Sequence, residues 1–352
     1  MSRTSAGLKV LLLAATFAAP AAVHAQTFKV EKFDIGGTGG TDYLTAEDGT
    51  GRVFVSRGNH VMVIDGPTGK VLGDIATPGS THGIALSQKS GHGFITANAD
   101  SSAVMFDLKT YAVIKKIKIP TGGLDGIMAD DFQDRIILTN HSKIGTVVVL
   151  DAASGDIAGT VNLVDNGPEG AASDGKGTVF VNLEGNDSIQ VIDVKAMKSI
   201  GVWGLGPCKG PTGIAIDRST NRLFVGCGKT SVVVDSKSGK VVAEIANGDR
   251  VDALGWDQAQ KLIYIPGGSP GNVTVVHEDS PDKYTVVGTV ATFPGAKTIA
   301  VDGGKHLAFA FQPEFGPAPA PDPNAPPPPA GRGGRGGPRG PMIHGWFIVV
   351  SH

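Results

Sequence analysis

Seven polar side chains recur one per repeat, each just ahead of a short apolar run: Asp42, His82, Asp125, Glu169, Thr212, Asp252 and Lys297. Four are carboxylates. Acids gathered around one axis suit a cation, an amine or a sugar-like ligand, and leave open a divalent ion on some of the carboxylates. With His82 neutral the set carries three net negative charges. Lys297 counts against a metal, because it is placed to neutralise Asp252 or Asp42. His82 among acids has the chemistry of a proton donor or acceptor, yet nothing in the spacing assigns a catalytic residue. The competing reading is a solvated channel mouth whose side chains simply face water. Neither a zinc-binding His-Glu-x-x-His nor a phosphate loop stands elsewhere. Gly226-Cys-Gly-Lys-Thr230 imitates the end of such a loop, but Leu223 occupies its first glycine position and a strand pattern follows.

The segments that must position these residues are strand-length and rich in β-branched residues. In one unit Pro211–Asp217, Asn221–Cys227, Ser231–Asp235 and Ser238–Ile245 alternate with Gly, Asn, Asp and Ser turns, so four short strands make one antiparallel sheet. The second-strand tetrads begin at Phe54, Phe94, Ile137, Phe180, Phe224, Tyr264 and Ala308, at intervals of 40, 43, 43, 44, 40 and 44 residues. Seven units at this period predict an all-β, seven-bladed β-propeller of four-stranded antiparallel blades over residues 26–352. The last unit lacks a fourth strand, and Phe28–Ile35 is expected to supply it, closing the ring. The loops between second and third strands offer an outer set, Arg57, Asn59, Asn98, Asn140, His141, Asn186 and Lys229, which reads as turn material. The Asp residues ending third strands, 65, 107, 151, 193 and 235, read as hairpin caps.

Composition agrees with a turn-rich all-β chain: 41% apolar and 18% charged residues, with 51 Gly and 22 Pro in 352. The 31 basic and 33 acidic residues give no field that would draw in nucleic acid, which is not an expected partner. Arg3 and Lys9 precede the apolar run Val10–Ala22, and Val23-His24-Ala25 carries small residues at −3 and −1. Residues 1–25 therefore read as a signal peptide cleaved before Gln26, giving a periplasmic or secreted protein with no transmembrane segment. In that oxidising setting Cys208 and Cys227, on one face of one blade, are expected to form a disulfide; two unpaired thiols are the other reading. Residues 313–343, rich in Pro, Gly and Arg, are expected to be an irregular loop inserted in the last blade, serving as a tether, a lid or an RGG-like nucleic-acid binder, the last disfavoured by export and an acidic mouth; a tolerated disordered loop is the competing reading.

The run Arg-Leu-Phe-Val, Val-Val-Val-Asp, Ser-Gly-Lys-Val-Val and Pro-x-Gly-Ile-Ala resembles the YVTN-type (YncE-like) β-propeller repeat of bacterial exported proteins. The resemblance covers 26–312 and 344–352 and is strongest at 81–119 and 211–247. It implies the fold and an exported setting; surface-layer, envelope and periplasmic proteins share it, so it implies no activity. The functional expectation is a monomeric module that binds a small polar or cationic ligand, or another envelope protein, through the channel mouth. The alternatives are a lactonase-like hydrolase using the Asp/Glu/His ring, with or without a divalent cation, and a purely architectural envelope protein. No other cofactor is expected.

Overall fold

A computed structural model describes residues 26–318 and 340–352. Residues 1–25, expected to be a signal peptide, and residues 319–339 of the expected insert lie outside the described residues. Within them the chain is all β apart from two three-residue 3-10 turns, Asn98–Asp100 and Glu184–Asn186. No helix among the described residues is long and apolar enough to cross a membrane.

The strands form antiparallel sheets in a propeller arrangement. Five sheets have four strands each; the remaining seven strands form a single sheet running from Leu44–Ala46 to Val113–Lys118. Free-standing four-stranded blades therefore number five, not the seven expected. The cause is one 18-residue strand, Lys70–Ser87. Its first part pairs with Gly58–Asp65 and its last part with His92–Ala97. At Thr77-Pro-Gly-Ser80 the chain bends through positive φ at Gly79 and Ser80 without leaving the strand, where the other units break into a loop, and the Thr77 and Thr81 hydroxyls, 2.6 Å apart, brace the crossing.

The hydrophobic core is divided among the gaps between units. Seven apolar clusters are each built from two consecutive units, and one of them joins Leu44, Val53 and Val55 to Phe309, Phe311 and Phe347. The strands alternate because each β-branched face packs against the next unit, and burying one such side chain stabilises by ~1.5–3 kcal/mol. The N-terminal strand Lys29–Asp34 pairs with Met342–Ser351, from Lys29 opposite Ser351 to Asp34 opposite Trp346. First strands of successive units touch in order, and Ala300–Asp302 returns to touch Leu44–Ala46. Asp302 accepts from the backbone N–H of Gly49 and Gly51 at 2.7 and 2.8 Å, tying the last unit to the first.

Hairpins between third and fourth strands are capped as their sequence suggests: Asp107, Asp151, Asp193 and Asp235 each accept from the backbone N–H three residues on. The fourth residue after the Asp of each hairpin, Asp65 included, lies in the left-handed region, held by Gly69, Gly155 and Gly239 but also by Tyr111 and Met197. Those two bulky residues plug the facing bulge glycines Gly73 and Gly159, while Trp203 lies over Gly239 and leaves it no room for a Cβ. Local strain is accepted at Tyr111 and Met197 in return for packing between units.

Two boundaries move. The last hairpin extends through Phe315 and restarts at Met342, with Pro313 opposite Gly345 and Glu314 opposite His344. The insert expected over 313–343 is thus shorter at both ends, because Trp346 donates to Glu314 at 2.6 Å and His344 meets Asp34 at 2.7 Å, carrying the ladder outward. Cys208 and Cys227 form a disulfide with Cα atoms 5.5 Å apart, both fully buried beside Phe180 and Leu223. Replacing both by Ser is expected to cost about 3 kcal/mol, since the bridge restricts a loop of roughly 20 residues in the unfolded chain. A lowered urea midpoint at unchanged slope reports it.

Candidate functional site

Six of the seven candidate residues converge. Asp252 pairs with Lys297, and Lys297 also reaches Asp42 Oδ1 at 3.4 Å. The other Asp42 oxygen meets His82 Nδ1 at 2.6 Å, and the same nitrogen lies 3.3 Å from Asp125 Oδ1. Asp125 Oδ2 is 3.1 Å from His141 Nε2, which is 3.5 Å from Glu169 Oε1. The result is an arc in which acids alternate with nitrogen bases. Thr212 is the exception: it is buried, and its hydroxyl donates to the Val251 carbonyl at 2.8 Å, so it links two units instead of joining the arc.

Backbone hydrogen bonds between units hold the arc in place. Asp252 N–H donates to the Lys297 carbonyl at 3.0 Å and the Thr298 hydroxyl to the Asp42 carbonyl at 2.7 Å. Tyr43 N–H donates to the His82 carbonyl at 3.3 Å and the Thr96 hydroxyl to the Asp125 carbonyl at 2.9 Å. Asn182 spans the Thr212 and Gly213 carbonyls, both at 3.0 Å. Glycine follows His82, Asp125, Glu169 and Thr212 because the neighbouring strand leaves no space: a Cβ on Gly126 would sit 3.0 Å from the Glu169 carbonyl oxygen, and one on Gly170 only 2.7 Å from that of Thr212.

Two members were not among the seven. His141, expected as outer turn material, lies between Asp125 and Glu169. Its backbone N–H donates to Gly123 O at 2.6 Å, and Gly123 must be glycine because a Cβ there would overlap the His141 carbonyl oxygen. Tyr43 stands where four other units have glycine and two have Ala253 and Thr298. Its ring occupies the axis left open by Gly83, Gly126, Gly170 and Gly213, above a small cavity of about 140 Å³, and its hydroxyl donates to Glu169 Oε2 at 3.3 Å. A tyrosine at a position held elsewhere by glycine or another small residue is the signal that could have found it. No comparable signal marks His141, whose neighbours Asn140 and Ser142 are ordinary turn residues. Beside the arc a wider cleft of about 390 Å³ is lined by Thr41, Asp42, Arg250, Lys297, Gln312 and Phe315.

The remaining outer candidates do structural work. Arg57 is fully buried, stacks on Phe311 at 4.4 Å and donates to the Gly36 carbonyl at 3.1 Å; burial lowers its pKa to about 10. Asn140 is buried and bonded to Thr146, Asn98 accepts from Leu124 N–H, and Asn186 donates to Ser188. Asn59 contacts His60, and exposed Lys229 sits 4.0 Å from half-buried Asp249. Gly267-Gly-Ser-Pro-Gly271 matches the letters of a nucleophile elbow, Gly-x-Ser-x-Gly, but joins the strands Leu262–Gly267 and Asn272–Ser280 as a hairpin turn, with no helix behind Ser269.

Electrostatics set the protonation of the arc. Burial alone would discharge His82; its bonds to Asp125 and Asp42 outweigh that and hold it charged, with a pKa of about 10. Burial likewise opposes charge on Asp125, but His141 and His82 keep it ionised well below the usual carboxylate range. His141 is raised, its loss of water outweighed by Asp125. Glu169 moves the other way: burial, then repulsion from Asp125 and Asp252, pushes it up to about 9. Burial also raises Asp252 despite Lys297, and raises Tyr43, which stays a donor. The three negative charges counted from sequence are therefore largely cancelled within the arc.

The fold places the chain among β-propellers. The solved structure titled Kuenenia stuttgartiensis Hydrazine Synthase is similar with a TM-score of 0.69 at 16% identity, over 78% of this chain and 92% of that one. A chain of the Crystal Structure of Mitotic Checkpoint Complex is similar with a TM-score of 0.69 at 15% identity, over 87% of this chain and 95% of that one. Identities this low carry the fold alone. No family model matches the chain, and no curated protein matches it.

Proposed function

We propose that this protein is an exported, monomeric binding module of the YVTN-type repeat family that captures a small polar or cationic ligand at its channel mouth. The arc from Asp252 to Glu169 carries the reading. Its acids and bases come from six different units, and Tyr43 closes the axis beneath them, so the mouth is a shallow cup lined by alternating acceptors and donors. Ring closure by the N-terminal strand is part of the proposal; the ladder to Met342–Ser351 and the contact between last and first inner strands support it. Export to the periplasm is supported by the residue pattern of 1–25 and by the disulfide.

The test is a thermal-shift screen of amines, amino acids and sugars against chelator-treated protein, followed by calorimetry of the hits. Asp42→Asn and Asp252→Asn are expected to weaken a true ligand by about tenfold or more, the loss of one or two charge-assisted hydrogen bonds. Hits bound equally by both variants would overturn the mouth as the site. Glu169, protonated at neutral pH beside His141, favours the hydrolase reading in one respect, as a proton donor in the cup. Ester or lactone turnover abolished by Glu169→Gln would select that reading over simple binding.

A further inference from the structure

The arc has a symmetry that ligand capture by charge alone does not explain. Asp125 points one carboxylate oxygen at each of two imidazoles, Oδ1 at His82 and Oδ2 at His141. Each imidazole has a second carboxylate on its far side: Asp42 for His82, Glu169 for His141. The two halves, Asp42–His82–Asp125 and Asp125–His141–Glu169, each bring one ligand atom per residue within 4.8 Å of one another. Metal–ligand bonds of about 2 Å at tetrahedral angles place donor atoms a little over 3 Å apart. Three of the four nitrogen–oxygen separations here, 3.3, 3.1 and 3.5 Å, have that length.

We propose that the channel mouth is a two-metal site in which Asp125 bridges two divalent transition-metal ions, one held with Asp42 and His82 and the other with His141 and Glu169. This rests on the mouth being the binding site and names the cationic ligand it takes. His141 Nε2 is shut off from water and makes no well-aligned hydrogen bond, although Asp125 lies 3.1 Å and Glu169 3.5 Å away. A coordinated ion would satisfy that atom. Lys297 does not block the site, because it occupies Asp42 Oδ1 and Asp252, leaving Asp42 Oδ2 on the histidine side. The side chains of all five ligands are 10–29% exposed, so ions can enter from the mouth. Once the ions displace the imidazole protons, two imidazoles among carboxylates select borderline ions such as Zn²⁺ over Ca²⁺, which prefers oxygen donors alone. Tyr43 holds the far oxygen of Glu169, the kind of outer contact that orients a metal-binding carboxylate.

The experiment is calorimetric titration of chelator-treated full chain with Zn²⁺, and in parallel with Ca²⁺, alongside elemental analysis after dialysis. Two Zn²⁺ per chain are expected, with Ca²⁺ at least tenfold weaker. His141→Ala and His82→Ala should each remove one ion, and Asp125→Asn, of nearly unchanged volume, should remove both. Unaltered circular dichroism of the variants excludes loss of fold, and if Asp125→Asn does not fold, the two histidine variants decide. Fewer than two Zn²⁺ in the wild type, equal binding of Ca²⁺, or two Zn²⁺ in both histidine variants would overturn the proposal. Organic ligands that bind the chelated protein and are lost in Asp42→Asn would then leave the mouth reading standing without metals. Loss of both kinds of binding would remove both.

Discussion

Deleting residues 27–35 is expected to abolish cooperative folding, or to lower stability by about 5 kcal/mol or more. The strand Lys29–Asp34 fills the outer edge of the last sheet, and Ile35 and Phe33 belong to the apolar cluster shared with Leu44, Phe309 and Phe347. Phe28 and Val30 pack on the neighbouring cluster around Tyr264 and Ile348. Ile35 is buried and the other three partly buried, so with a ceiling of ~1.5–3 kcal/mol for each fully buried side chain the four together reach the lower end of a domain's whole stability of roughly 5–15 kcal/mol. The deletion also bares the hydrogen-bonding edge of Met342–Ser351, a template for aggregation. Urea melts and size-exclusion profiles of the truncated chain measure this, with a peptide of residues 26–36 added in trans as the rescue. A truncated chain that is monomeric and melts at the full-length midpoint would show that the terminal strand closes nothing.

The second large effect is alkaline. The folded protein holds His82 at about 10 against an ordinary 6.5, so its stabilising charge is fully present below pH 6.5 and is lost as pH rises through 10. Glu169 at about 9 against 4.5 acts in the same direction, because the buried acid must ionise among Asp125, Asp252, Glu184 and Asp42. The groups facing His82 are Asp42 and Asp125, with Lys297 and His141 one step further along the arc. Chelator-treated protein should therefore lose stability from pH 6.5 to 10, on the order of 3 kcal/mol after allowing for partial exposure. Glu169→Gln should flatten the slope, since it removes the ionisation while keeping a partner for Tyr43. A urea midpoint that stays constant across this interval in wild type would contradict the charge pattern of the arc.

The extent to which the site is legible in sequence follows from the repeat. A period of 40 to 45 residues makes Asp42, His82, Asp125, Glu169, Asp252 and Lys297 equivalent, and equivalent positions in a radial array converge. Thr212 obeys the same periodicity, yet its short side chain reaches the neighbouring carbonyl of Val251 first. Repeat position fixes a backbone site, while side-chain length and the nearest unpaired acceptor decide the direction.

What the sequence determined by itself was the all-β class, the four-strand unit, the polar position ahead of each inner strand, the hairpin caps and the cysteine pair. These depend on patterns local to one unit, in which turn chemistry and alternating burial suffice. Only the tertiary structure decided that Lys70–Ser87 runs unbroken through two units, that Tyr43 caps the axis, and that His141 enters the arc between two acids. Each of these depends on how much space an adjacent unit leaves, and steric room between units is written in no single repeat.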